Sequence, residues 1–129
     1  MSKLLDSLNI TLPDYQILAN LLETDDMKCK VGSLRILRRI TSHPAIRKKA
    51  TLMGGIELLI KILSDPDSKL QLLAAETMAN LAKFRNARTI VRKNEGIPKL
   101  IDLLDVDMKK VMAINTVCRF LSLIFKALL

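Results

Sequence analysis

The chain has no tryptophan, one tyrosine (Tyr15) and three phenylalanines among its 129 residues, so aromatics make up only 3% of it. Half of the residues are hydrophobic. The core must therefore be aliphatic, built from Leu, Ile, Val, Met and Ala, as in helical repeats. The same scarcity removes the stacking platforms on which unpaired bases are read. His43 is the lone histidine and precedes Pro44 at an expected helix boundary, where it reads as a solvated turn residue. No second His or Cys stands at metal-ligand spacing, so no metal site is expected. The four glycines mark no phosphate loop, because Gly54-Gly55 lacks the required spacings. With only two cysteines, Cys29 and Cys118, and no basic-then-apolar leader, the thiols are expected to be reduced and the chain cytoplasmic. The acidic pairs fall at solvated helix caps, poor places to raise a carboxylate pKa. These absences predict a non-enzyme with no cofactor and no small-molecule substrate.

Lysine and arginine number 21 against 13 acidic residues, a net charge of +8. That excess favours acidic partners. Nucleic acid is a second use of such charge, but no helix-turn-helix, zinc, RRM or KH pattern accompanies it. The apolar stretch from Val111 to Leu129 is interrupted by Asn115, Arg119 and Lys126, so it predicts a helix rather than a membrane span.

What the chain does have is a repeat. Leu22, Leu63 and Leu104 are spaced by 41 residues, and Gly55-Ile56 returns as Gly96-Ile97. Ser64-Asp65-Pro66-Asp67 reads as a helix stop and a new start, with Asp65 as cap, Pro66 in the first turn and Asp67 at the positive end of the dipole. Its counterparts are Glu23-Thr24-Asp25-Asp26 and Asp105-Val106-Asp107. A long helix follows each. Met27 to Thr41 carries Val31, Leu34, Leu37 and Ile40 on one face, and Ser68 to Lys83 carries Leu72, Ala75, Met78 and Leu81 in the matching slots. Two shorter helices precede each long one. Cys29 shares its slot with Leu70 and Val111, so it is expected to fill apolar space.

A period in the forties with three helices per unit predicts an all-α, right-handed armadillo solenoid of about two and a half repeats. The boundaries are a divergent segment at 1–13, a partial repeat at 14–53, a full repeat at 54–94, and a third at 95–129 with a divergent last helix. In that last helix Arg119 and Ser122 fall in core slots, so another face is expected inward: Ile114, Val117, Cys118, Leu121 and Phe125. Solenoids work by offering an extended surface to a partner, and their exposed ends favour stacking on further repeats or on another copy.

The stretch Leu73-Ala74-Ala75-Glu76-Thr77-Met78-Ala79-Asn80-Leu81-Ala82 resembles the third helix of an armadillo repeat. Residues Leu21 to Leu34 and Ala74 to Arg85 are similar to the armadillo-repeat subunits of outer dynein arm docking complexes, a resemblance covering Leu21 to Asp105. It implies a scaffold that attaches dynein arms to axonemal doublet microtubules, with docking-complex subunits or tubulin as partners. Members of that family are far longer, and the ends of this chain depart from them. The alternative reading is a truncated remnant without independent function. An importin-type adaptor conflicts with the excess of basic charge and the missing tryptophans.

The resemblance places Asn80, with Glu76 nearby, on the concave face, where an asparagine amide grips the backbone of an extended peptide. Two sets of charge are expected to segregate by repeat position. Asp25, Asp26, Asp65, Asp67, Asp105 and Asp107 form an acidic rim that helix capping already explains. Arg47, Lys48, Lys49, Arg85, Arg88, Arg92 and Lys93 form a basic band for an acidic protein surface.

Overall fold

A computed structural model describes residues 12–103 together with residues 118, 119 and 122. Within residues 12–103 seven helices follow one another: α1 (Leu12–Leu22), α2 (Met27–Ile40), α3 (Pro44–Leu52), α4 (Gly55–Leu63), α5 (Ser68–Leu81), α6 (Arg85–Lys93) and α7 (Gly96–Asp102). Their bounds repeat at the interval seen in the sequence. α5 begins and ends 41 residues after α2 (68 − 27 and 81 − 40), α6 does the same after α3 (85 − 44 and 93 − 52), and α7 begins 41 after α4 (96 − 55). No strand occurs among the described residues, and none of their helices is long and apolar enough to cross a membrane.

Each helix start has a local cause. Asp26 caps α2 by accepting from the backbone N–H of Lys28 and Cys29. Asp67 does the same for α5, accepting from Lys69 and Leu70 at 2.8 and 3.0 Å. Here the geometry corrects the expected roles. Asp67, not Asp65, is the cap, and Pro66 lies outside the helix. Asp65 instead accepts the N–H of Asp67 at 2.8 Å and so shapes the turn before the cap. His43 also does more than expected: its Nδ1 accepts from the N–H of Ala45, capping α3 with Pro44 in the first turn. The long helices stop slightly early, with Thr41 and Ala82 as C-caps. α4 follows Gly54 at φ 86°, and α7 follows Glu95 at φ 57°, both left-handed.

The core is continuous and aliphatic. Leu34, Leu37 and Ile40 of α2 are buried, as are Ala75, Met78 and Leu81 of α5, while Val31 and Leu72 are half-buried. α5 is the most enclosed helix, packed against α2 on one side and α4 on the other. For this reason it also buries Leu70, Leu73 and Thr77, a second face beyond the one its spacing suggested. Thr77 is tolerated there because its hydroxyl donates to the carbonyl of Leu73 at 2.8 Å.

Cys118, Arg119 and Ser122 are helical and exposed. Arg119 and Ser122 are thus kept out of the core slots that the repeat register gives them. The same exposure corrects Cys118, which was assigned to the inner face and instead points to solvent. Ile114, Val117, Leu121 and Phe125, the acidic residues Asp105 and Asp107, and the divergent segment 1–11 lie outside the described residues.

Candidate functional site

The translation of 41 residues superimposes α2 on α5 and so defines slots: Lys28 on Lys69, Arg35 on Glu76, Arg39 on Asn80. These positions recur at helical spacing and form one stripe along the pair of long helices. Near the start of the stripe lies an open groove of roughly 380 Å³, lined by Met27, Lys28, Val31, Gly32 and Arg35 from α2, by Lys69 from α5 and by its cap Asp67. Its floor is apolar, and a Cβ added at Gly32 would meet nothing within 4 Å. Three cations rim it, and its one carboxylate, Asp67, is engaged in capping α5.

Farther along, the expected contact residues are tied up within the chain. Asn80 donates from Nδ2 to the carbonyl of Arg38 at 2.8 Å and to Thr41 Oγ1 at 3.3 Å, which leaves only its amide oxygen for a bound segment. Glu76 Oε2 accepts from Arg38 Nη1 at 2.7 Å, a charged pair between α5 and α2. Both residues thus join one long helix to the next. The Arg38 carbonyl lies in the last turn of α2, where helix geometry supplies few partners. An Asn80→Ala variant is expected to lose about 1 kcal/mol, because the Thr41 hydroxyl, which shares its one proton between the Leu37 and Arg38 carbonyls, replaces the lost bond only in part. A urea titration with an unchanged midpoint would contradict this role.

The basic band divides in two. Arg47 Nε and Nη2 donate to the carbonyls of Thr41 and Ser42 at 2.8 and 2.6 Å. Arg88, one period later, donates from Nη1 to the carbonyl of Ala82 at 2.7 Å. These two arginines close the C-terminal ends of α2 and α5, a helix-end role the sequence did not suggest. Lys48, Lys49, Arg85, Arg92 and Lys93 are exposed. They do not share slots: Lys48 and Lys49 match Thr89 and Ile90, and Arg85, Arg92 and Lys93 match Pro44, Thr51 and Leu52. Burial, and then the charges of Arg47 and Arg119, lower the Lys83 ammonium below its ordinary value.

Cys29 is half-buried at the start of α2. Burial, the charge of Asp26 and a hydrogen bond to Asp26 together push its thiol up, away from the reactive thiolate. Among the described residues no group of three or more His, Cys, Asp or Glu could hold a metal ion. Lys28, Arg35, Lys69 and Arg38 belong to the site although neither composition nor motif singles them out. The signal was available in the repeat register, which puts Lys28 and Lys69 in one slot.

No family model matches the chain. Junction plakoglobin of Xenopus laevis, an armadillo-repeat protein, is 29% identical over 103 residues, covering 79% of this chain and 14% of its own length. Outer dynein arm-docking complex subunit 2 of Bos taurus is 58% identical over 33 residues, covering 26% of this chain and 3% of its own length. That match is shorter than the span from Leu21 to Asp105 over which the sequence resembles such subunits. The chain therefore spans 3% to 14% of the length of these relatives. Two crystal structures of engineered proteins share the fold. One has a TM-score of 0.79 at 28% identity, covering 88% of this chain and 46% of that protein. The other has a TM-score of 0.85 at 25% identity, covering 97% and 30%. By architecture the chain is a short all-helical solenoid similar to armadillo-repeat proteins.

Proposed function

We propose that the chain is a protein-interaction scaffold whose long helices receive an acidic segment of a partner. The observation that carries this reading is the groove between α2 and α5, with an apolar floor at Val31 and Gly32 and three cations, Lys28, Arg35 and Lys69, around it. An extended chain can seat an apolar side chain over Gly32 and place carboxylates against the rim. Charge of this kind steers association and selects partners more than it adds affinity. The exposed cations Lys48, Lys49, Arg85, Arg92 and Lys93 extend the attraction over the short helices. Arg47, Arg88, Asn80 and Glu76 act by holding the solenoid in shape.

The match to a dynein-arm docking subunit supports a narrower form of the proposal: attachment of outer dynein arms in motile cilia, through docking-complex subunits or tubulin, with the chain in the cytoplasm and at the axoneme. The test is affinity capture of the tagged chain from motile-ciliated cells, beside a variant carrying Lys28→Glu, Arg35→Glu and Lys69→Glu. Docking-complex subunits are expected with the wild-type chain and at least about tenfold less with the variant. Equal recovery from both would remove the groove from the interaction.

A further inference from the structure

The interface between α2 and α5 serves as a template for the opposite edge of α2, which no described helix covers to the same extent. On α5 the side facing α2 carries Leu70, Leu73, Glu76 and Thr77. Leu70, Leu73 and Thr77 are almost fully enclosed, and Glu76 pairs with Arg38. One period earlier the same slots on α2 hold Cys29, Gly32, Arg35 and Ile36. There the cover is thinner: Cys29 and Gly32 are half-buried, and Arg35 and Ile36 are exposed. Ile36 is 51% exposed where Thr77 is at 0%, and Gly32 has open space above it. Arg35 is exposed and takes no part in an ion pair among the described residues. α2 thus presents upstream an apolar stripe at helical spacing with one cation beside it.

We infer that this edge, formed by Cys29, Gly32, Arg35 and Ile36, docks an amphipathic helix of a partner that places a carboxylate opposite Arg35. The template supplies the geometry. The incoming helix lies where α2 lies on α5, its apolar residues in the slots of Val31 and Leu34 and its acid in the slot of Arg38. The charges on the two sides are reversed relative to the template, because Arg35 stands where Glu76 stands. That reversal disfavours a second copy of the chain docking through α2, which would bring its Arg38 onto Arg35. This surface rests on the reading of the chain as an interaction scaffold and borders the groove proposed for an acidic segment, sharing Gly32 and Arg35 with it.

The experiment uses the full chain and two fluorescent, helix-stapled peptides of residues 26–42, one with the native Arg38 and one with Arg38→Glu. The wild-type chain is expected to bind the Arg38→Glu peptide at least about tenfold more tightly than the native one. In an Arg35→Glu chain the preference should invert, and Ile36→Asp should weaken both. Arg35 and Ile36 are exposed, so these variants leave the core untouched. Equal binding of the two peptides, binding that ignores Arg35→Glu, or no binding of either peptide would overturn the inference. Changing Lys28 and Lys69 to Glu while leaving Arg35 in place weakens the groove but leaves the peptide preference intact, so the two proposals fail separately.

Discussion

Truncating Leu34 to Ala is expected to destabilise the chain by about 2–5 kcal/mol, enough to unfold much of it under ordinary conditions. Leu34 is at 0% exposure in α2 and belongs to the one core cluster shared by the helices. The loss has two parts, the apolar contacts of the removed methyl groups and the cavity left where α2 meets its neighbours. Helical spacing makes a sharp internal control. Ile36 lies two residues on and is 51% exposed, so Ile36→Ala should change stability by less than about 0.5 kcal/mol. Urea unfolding of the two variants beside the wild-type chain measures the contrast. Similar midpoints for Leu34→Ala and Ile36→Ala would mean that α2 does not present this face to the core.

Gly96→Ala is the second large effect, and it acts by crowding. Gly96 opens α7 and is buried. An added Cβ would stand 2.8 Å from Val91 Cγ1, 3.1 Å from the Val91 carbonyl and 3.2 Å from Ile60 Cδ1. The Val91 backbone belongs to α6 and cannot give way like a side-chain tip, so α7 must shift away from α6 and α4. Overpacking of this kind costs about 1–3 kcal/mol. Gly55, in the matching slot, is buried as well. The expected result is a lower unfolding midpoint, with helix content kept at low temperature. An unchanged midpoint would show that α7 is not seated as described.

How far the sequence revealed this arrangement depended on the distance over which each residue acts. The apolar slots at Val31, Leu34, Leu37 and Ile40 were readable because burial on one helical face is a local pattern. The caps were readable as a class, though the choice between Asp65 and Asp67 turned on backbone geometry that the letters do not carry. The second buried face of α5 was hidden, because Thr77 is polar and only its bond to the Leu73 carbonyl makes it compatible with burial. Asn80 was drawn toward a partner by its resemblance to armadillo asparagines. Its bond to Arg38, 42 residues away, is a property of the stacked helices alone. Arg47 and Arg88 looked like part of a charged surface until their guanidinium groups were seen on the final carbonyls of the long helices. Seven cations on the short helices suggested a band there, yet the groove lies on the long helices, where Lys28 and Lys69 stand out only when the two repeats are laid in register.

On the proposed function, a partner's acidic segment lies along the long helices. Zero-length carboxylate-to-amine cross-linking of the captured complex, read by mass spectrometry, tests it most directly. Lys28 and Lys69 on the groove compete in that reaction with Lys48, Lys49 and Lys93 on the short helices. The account predicts links from Lys28 and Lys69 to acidic residues of the partner. Links confined to Lys48, Lys49 and Lys93 would contradict it and return the interaction to the short helices.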